Sequence, residues 1–184
     1  MIFVFFVVAF LGADMTYYGG KEMAESWRTV RKNTVQAAED IPEDKYAFRA
    51  APDTMSVAEL LAHLASSPHW AHQCHFVDPK SKVSGEDFGK WMAEITKFSS
   101  GLTTKAAILD ALRTKGESFA KELEAMTDAQ LGERVGLPMG DKTRFEMLLG
   151  VKEHEMHHRA QLFLIERMLG IVPHLTRARQ AARA

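Results

Sequence analysis

The sequence predicts an all-α fold, a four-helix bundle with an extra short helix between the second and third long helices. Three observations predict it. Apolar residues recur at helical spacing through most of the chain, and the alternation expected of a half-buried strand is nearly absent. Cap and stop residues divide that pattern into four long segments. The chain has 184 residues, 46% of them hydrophobic and 26% charged, which is enough for one globular domain with a substantial core.

The first segment stands apart. Met1–Ala13 is an apolar run, shorter than the roughly 20 residues of a bilayer-spanning helix. It resembles the apolar region of a secretory signal, but no Lys or Arg precedes it, and Leu11 and Ala13 make a poor cleavage pair. Met15 then opens an ordinary polar segment. The expectation is an upstream extension over 1–14 and a helical domain over 15–184 that starts at Met15. A signal peptide or membrane anchor is the alternative.

The first long helix is predicted from about Gly20 to Glu39, ended by Ile41-Pro42. The second starts near Asp53-Thr54 or Ser56, where Ser56-Val57-Ala58-Glu59 has the capping-box pattern, and Pro68 should kink it or end its first part. A polar stretch from Asp78 to Gly85 leads into the extra short helix, through Phe88, Trp91, Met92 and Ile95 to Gly101. The third long helix has its cap at Thr103 or Thr104 and runs to about Met126, with Gly116 as a soft spot. Residues Thr127 to Lys142 are turn-rich. The fourth long helix runs from near Thr143 to Gly170, with Pro173 just beyond.

Composition narrows the function. A net charge of −1 lacks the basic excess of a nucleic-acid binder. The one basic patch, Arg177, Arg179 and Arg183, reads as a solvated, frayed terminus. The single cysteine, Cys74, excludes a disulfide within the chain and a cysteine-based zinc finger. It suits a cytoplasmic setting and reads as a small buried hydrophobe rather than a nucleophile. No stable membrane association is expected.

Of eight histidines, seven fall within 63–75 and 154–158. The apolar stripe of the fourth helix is Met147, Val151, Leu162, Ile165 and Leu169. Continuing it at steps of three and four requires His154 and His158, which lie about 40° apart around the axis and one turn apart along it. One buried histidine would be structural. Two on one stripe leave several polar nitrogens to satisfy in an apolar interior, and a metal ion satisfies one on each ring. His157 should leave the stripe. The third ligand should come from a facing helix, where His63 is the best candidate and His69 a distant second. Three histidines leave a coordination position open, as in catalytic sites.

Three templates compete for this motif. His154-Glu155-Met156-His157-His158 matches HExxH, the zinc-protease pattern, literally. The extended form, however, needs Gly at 161 and His at 164, where Gln161 and Leu164 stand, and no active-site sheet is predicted. A di-iron bundle needs two Glu-x-x-His pairs. Glu155 and His158 make one, but Glu59 and His63 are a residue too far apart. The third template fits. KEHEMHHRAQLFLIERMLGIVP resembles the last helix of the DinB/YfiT-like family, with His154, His158, Arg159 and Gln161 matched and Ala160 in place of the usual Gly. SVAELLAHLASSPHW resembles that family's second helix, with His63 in the place of the first ligand.

The resemblance, over roughly residues 15–175, implies a four-helix bundle with a three-histidine site for nickel or zinc, often dimeric; iron and copper also suit imidazole ligands, and manganese is a further alternative. It implies an enzyme working with a low-molecular-weight thiol, so the leading expectation is a metal-dependent thiol transferase in a cytoplasmic homodimer. A metal-assisted hydrolase and a non-catalytic metal-binding or stress-response protein are the alternatives. Glu155 and His157 are the candidates for orienting ligands or moving protons, although a solvated face is the preferred reading of both. Arg159 and Gln161 are expected to brace helix packing. Trp70, Trp91 and Phe88 are candidates for the mouth of the site, though aromatic residues at helical spacing are usually core.

Overall fold

The computed structural model describes residues 18–183. The apolar leader and Met15 lie outside the described residues. Helix α1 spans Gly20–Asp40, α2 Val57–Ser66, α3 His69–His72, α4 Gly85–Ser100, α5 Lys105–Glu124, α6 Asp128–Gly132, α7 Arg144–Met168 and α8 His174–Ala181. Strands β1 (Arg134–Val135) and β2 (Lys142–Thr143) pair antiparallel just before α7. None of the described helices is long and apolar enough to cross a membrane.

The bundle is built from α1, α2, α5 and α7. Helix α1 packs on α5 and α7, and α2 packs on the same two, so the helices run α1, α5, α2, α7 around a shared core. Helix α4 lies outside that ring against α2 and α3. The core beside α2 contains Leu60, Leu61, Leu64, Ile108, Leu112, Leu162 and Ile165, all buried. These residues form the apolar faces of α2, α5 and α7, turned inward because each helix presents one apolar face.

Local signals set the helix starts. The Ser56 hydroxyl accepts from Glu59 N at 3.2 Å and the Glu59 carboxylate accepts from Ser56 N at 2.8 Å. Thr143 and Glu146 repeat that reciprocal cap at the start of α7. Such caps satisfy amide groups that the first turn leaves free. Thr104, rather than Thr103, caps α5, accepting from Ala107 N. Gly170, with φ +78°, ends the last turn beyond α7 in a conformation that side chains disfavour.

The break expected at Pro68 is present: α2 ends at Ser66, and after two residues the chain resumes as α3, then loosens into a π-type turn over Gln73–Val77. Other expectations need correction. The turn-rich stretch before α7 contains α6 and the small β hairpin. Residues beyond Pro173 form α8 rather than a frayed tail. Arg177 ties α8 to α1 through Asp40 at 2.6 Å, and His174 Nε2 lies 3.1 Å from Asn33 Oδ1.

Gly116 is not a soft spot either. A Cβ there would stand 2.7 Å from the Arg31 Cγ, so the glycine makes room for an arginine stem between α1 and α5. Trp27 Nε1 donates to Gly116 O at 2.8 Å in the same contact.

Candidate metal centre

His63 projects from α2 and His154 and His158 from α7, two helices packed against each other. One nitrogen from each ring lies within 4.8 Å of the other two, and all three side chains are half-buried. His63 Nε2 and His154 Nε2 are 3.1 Å apart. Ring centroids are 4.9 Å apart for His63–His154, 4.9 Å for His63–His158 and 4.6 Å for His154–His158. The three residues picked from the helical stripes therefore converge.

These residues fit a divalent ion. Two imidazoles bound tetrahedrally at ordinary zinc–nitrogen lengths have their nitrogens about 3.3 Å apart, close to the observed separation. Burial lowers the pKa of His63, with the neighbouring His158 charge adding to the effect. Burial, then the charges of His158, His63 and His157, lowers that of His154 to about 4. Both rings are therefore neutral near pH 7, with a lone pair each to donate.

Gln161 is the supporting residue that the sequence reading assigned only to helix packing. His158 Nδ1 and Gln161 Oε1 are 2.8 Å apart. An N–H donated there fixes the tautomer in which Nε2 is the free lone pair. The signal was present, since position 161 is three residues after 158 and on the same helical face. Arg159 does brace packing, reaching Val30 O at 3.5 Å and lying over the Phe163 ring.

Glu155 corrects the solvated reading. It is only 1% exposed, and its Oε2 lies 2.7 Å from the Arg31 Nη2. Burial pushes its carboxyl up, against the pull of Arg31, and lowers the Arg31 pKa. A protease base must face the substrate side of the metal; this carboxylate instead anchors α7 to α1. The HExxH match is thus a coincidence of spacing. His157 is exposed, as expected, with Nε2 3.4 Å from Gln161 Nε2. His69 stays outside the cluster and pairs with Glu94 at 2.7 Å. Cys74 is fully buried and its thiol is pushed up to about 11 by that burial.

A cavity of about 650 Å³ opens beside His63 and His154. Helix α4 supplies Phe88, Trp91 and Ile95, α3 supplies Trp70, and α7 supplies Met147 and Val151. The aromatic residues named as candidates for the mouth do line it. Its charged lining residues are Lys142 and Glu146. The sequence could not reveal this space, because it depends on how α4 and the β hairpin lie against α7.

Known proteins share this fold. YjoA of Bacillus subtilis (strain 168) is 28% identical over 143 residues, covering 76% of this chain and 84% of that protein. The crystal structure of the DinB-like YjoA superposes with a TM-score of 0.63 at 24% identity, covering 81% of this chain and 92% of that one. YfiT from Bacillus subtilis, described as "a probable metal-dependent hydrolase with an unusual four-helix bundle topology", gives 0.63 at 16% identity over 83% and 88% of the two chains. A mycothiol-dependent maleylpyruvate isomerase gives 0.58 at 13% identity over 79% of this chain and 61% of that one. The sequence profile of the DinB superfamily matches residues 26–162, which take in all three histidines and the bundle helices from Ser26 in α1 to Leu162 in α7, and this chain belongs to that superfamily.

Proposed function

We propose that this chain is a single-metal enzyme in which His63, His154 and His158 hold a divalent ion and the adjoining cleft holds an organic substrate. The observation that carries this reading is the convergence of three half-buried imidazoles beside a cavity of about 650 Å³. An ion there, nickel or zinc in the first instance and iron, manganese or copper as alternatives, supplies Lewis-acid chemistry and lowers the pKa of a water or thiol at its open position.

The protein's own groups do the rest. The three rings donate lone pairs, and Gln161 keeps His158 in the ligating tautomer. The Arg31–Glu155 pair holds α7 against α1, so His154 and His158 keep their direction. The aromatic and aliphatic walls keep water away from the body of a bound substrate.

Hydrolysis is the leading reading. The cleft's charged residues are one lysine and one glutamate, not the cationic cluster that a carboxylate-bearing thiol would need. The description of YfiT as "a probable metal-dependent hydrolase" supports the same choice. The second reading, transfer to a low-molecular-weight thiol, is supported by a cavity large enough for two small reactants and by the name of the mycothiol-dependent neighbour.

The deciding experiment loads the protein with zinc or nickel and offers it aromatic esters and amides without thiol, and electrophiles with glutathione or cysteine. Metal-dependent ester or amide cleavage, absent in His158→Ala, is the expected result. Product formation only when a thiol is present would put the transferase reading first. Failure to bind one ion per chain would remove both.

A further inference from the structure

We propose that Gly150 is the residue that opens this cleft, and that the cleft admits a neutral small molecule with an apolar, ring-sized body. The proposal rests on the metal-centre reading only for which end of the ligand reacts.

Gly150 sits inside the 25-residue helix α7, one turn before His154. A glycine in a helix interior costs about 1 kcal/mol relative to alanine. At two other helical glycines the missing side chain has a steric reason, and at Gly89 of α4, where a Cβ would also meet nothing, the residue is exposed and lies outside the cleft lining. A Cβ at Gly116 would meet the Arg31 stem at 2.7 Å, and one at Gly20 would stand 2.5 Å from two backbone oxygens. At Gly150 a Cβ would meet nothing within 4 Å. The open space in front of it is the cleft, which Gly150 lines together with Met147, Val151 and His154. Packing therefore does not require the glycine, whereas room for a ligand does.

The far wall sets the ligand's chemistry. Trp70, Trp91 and Phe88 present ring surfaces, with Phe88 at the rim and 50% exposed. Lys142 and Glu146 carry opposite charges. The Glu146 carboxylate accepts from Thr143 N at 2.8 Å and lies 3.0 Å from its hydroxyl. Those bonds hold it below the usual carboxylate range, and the nearby Arg134 and Lys142 charges lower it further. The two charges offset each other, so an anion held against this part of the cleft, away from the three histidines and any ion they bind, would lose hydration without a matching partner.

The test uses two fluorescent probes with the same ring system, neutral phenylnaphthylamine and anionic anilinonaphthalene sulfonate, titrated against the full chain. Binding is read from probe emission and from quenching of Trp70 and Trp91, with metal content measured in parallel. The neutral probe should bind once per chain and about tenfold or more tighter than the sulfonate. Gly150→Leu should weaken it by about tenfold or more, at unchanged circular dichroism and metal content, because the new side chain occupies ligand space. Phe88→Ala, at an exposed position that the fold tolerates, should weaken it severalfold. Equal or tighter sulfonate binding by the chain stripped of metal overturns the neutral-ligand assignment. Wild-type affinity in a folded Gly150→Leu overturns the role of Gly150. Should that variant fail to fold, unchanged affinity in Phe88→Ala overturns the cleft as the binding site. Probe binding sensitive to Gly150→Leu in a wild-type chain that binds no metal would sink the metal-centre reading and leave this one standing.

Discussion

Changing Glu155 to Gln separates a structural glutamate from a catalytic one. The pair it forms with Arg31 is closed to solvent, with side chains 1% and 5% exposed and an N–O distance of 2.7 Å. Arg31 cannot move out to water. Its Nη2 donates to Leu64 O at 3.0 Å, its guanidinium lies 4.8 Å from the centre of the Trp27 ring, and its stem fills the space at Gly116. Removing the carboxylate charge therefore strands a buried cation, a change that typically costs about 3–5 kcal/mol. Glutamine keeps an acceptor oxygen, which puts the expected loss near the lower end, about 3 kcal/mol. At a urea dependence of about 1–3 kcal/mol per molar, the unfolding midpoint should fall by about 1 M or more. Equilibrium urea unfolding followed by circular dichroism reads it, with metal content measured on the folded variant and expected to stay at the wild-type value. The double variant Arg31→Met with Glu155→Leu should lose much less than the sum of the single losses, because no unpaired charge remains. A Glu155→Gln protein with the wild-type midpoint and lost turnover would refute this reasoning and return Glu155 to the catalytic machinery.

Other predictions follow from the same geometry. His158→Ala should lose bound metal by elemental analysis and keep its helical circular dichroism; full occupancy would refute the ligand set. Gln161→Ala should weaken metal affinity by about 10–100-fold in a competition titration, since His158 loses its orienting partner. Glu166 is fully buried, and burial, followed by the Asp40 charge, pushes its pKa up to about 7. The folded state thus retains a proton that the unfolded chain releases near pH 4.5, so this contribution falls as pH rises from about 4.5 to 7, by up to about 3 kcal/mol, and is flat above. Denaturation across that window should show the slope, and Glu166→Gln should flatten it. Cys74 in the native protein should react with an aromatic disulfide reagent only as fast as the chain opens; a rate matching the denatured chain would contradict its burial.

The helices were legible because their signals are local. The Ser56–Glu59 and Thr143–Glu146 caps, the Gly170 stop and the apolar stripes each span a few residues, so the sequence locates them nearly where they fall. His154 and His158 were legible for the same reason, as interruptions of a stripe whose period is known. Helix α8 was missed because it has no apolar face of its own strong enough to announce it; it is held by Arg177 on Asp40 and by His174 beside Asn33, partners more than a hundred residues away.

The sequence by itself determined the bundle and the pair of histidines on α7, since periodicity and capping are properties of a single helix. Only the tertiary structure decided that His63 meets that pair, that Glu155 turns to Arg31, that Gln161 orients His158, and that Gly150 faces an open cleft. Neighbouring residues on one helix point in directions about 100° apart. Which of those directions meets a ligand, a counter-charge or empty space depends on the helices packed beside it, and no local pattern encodes that.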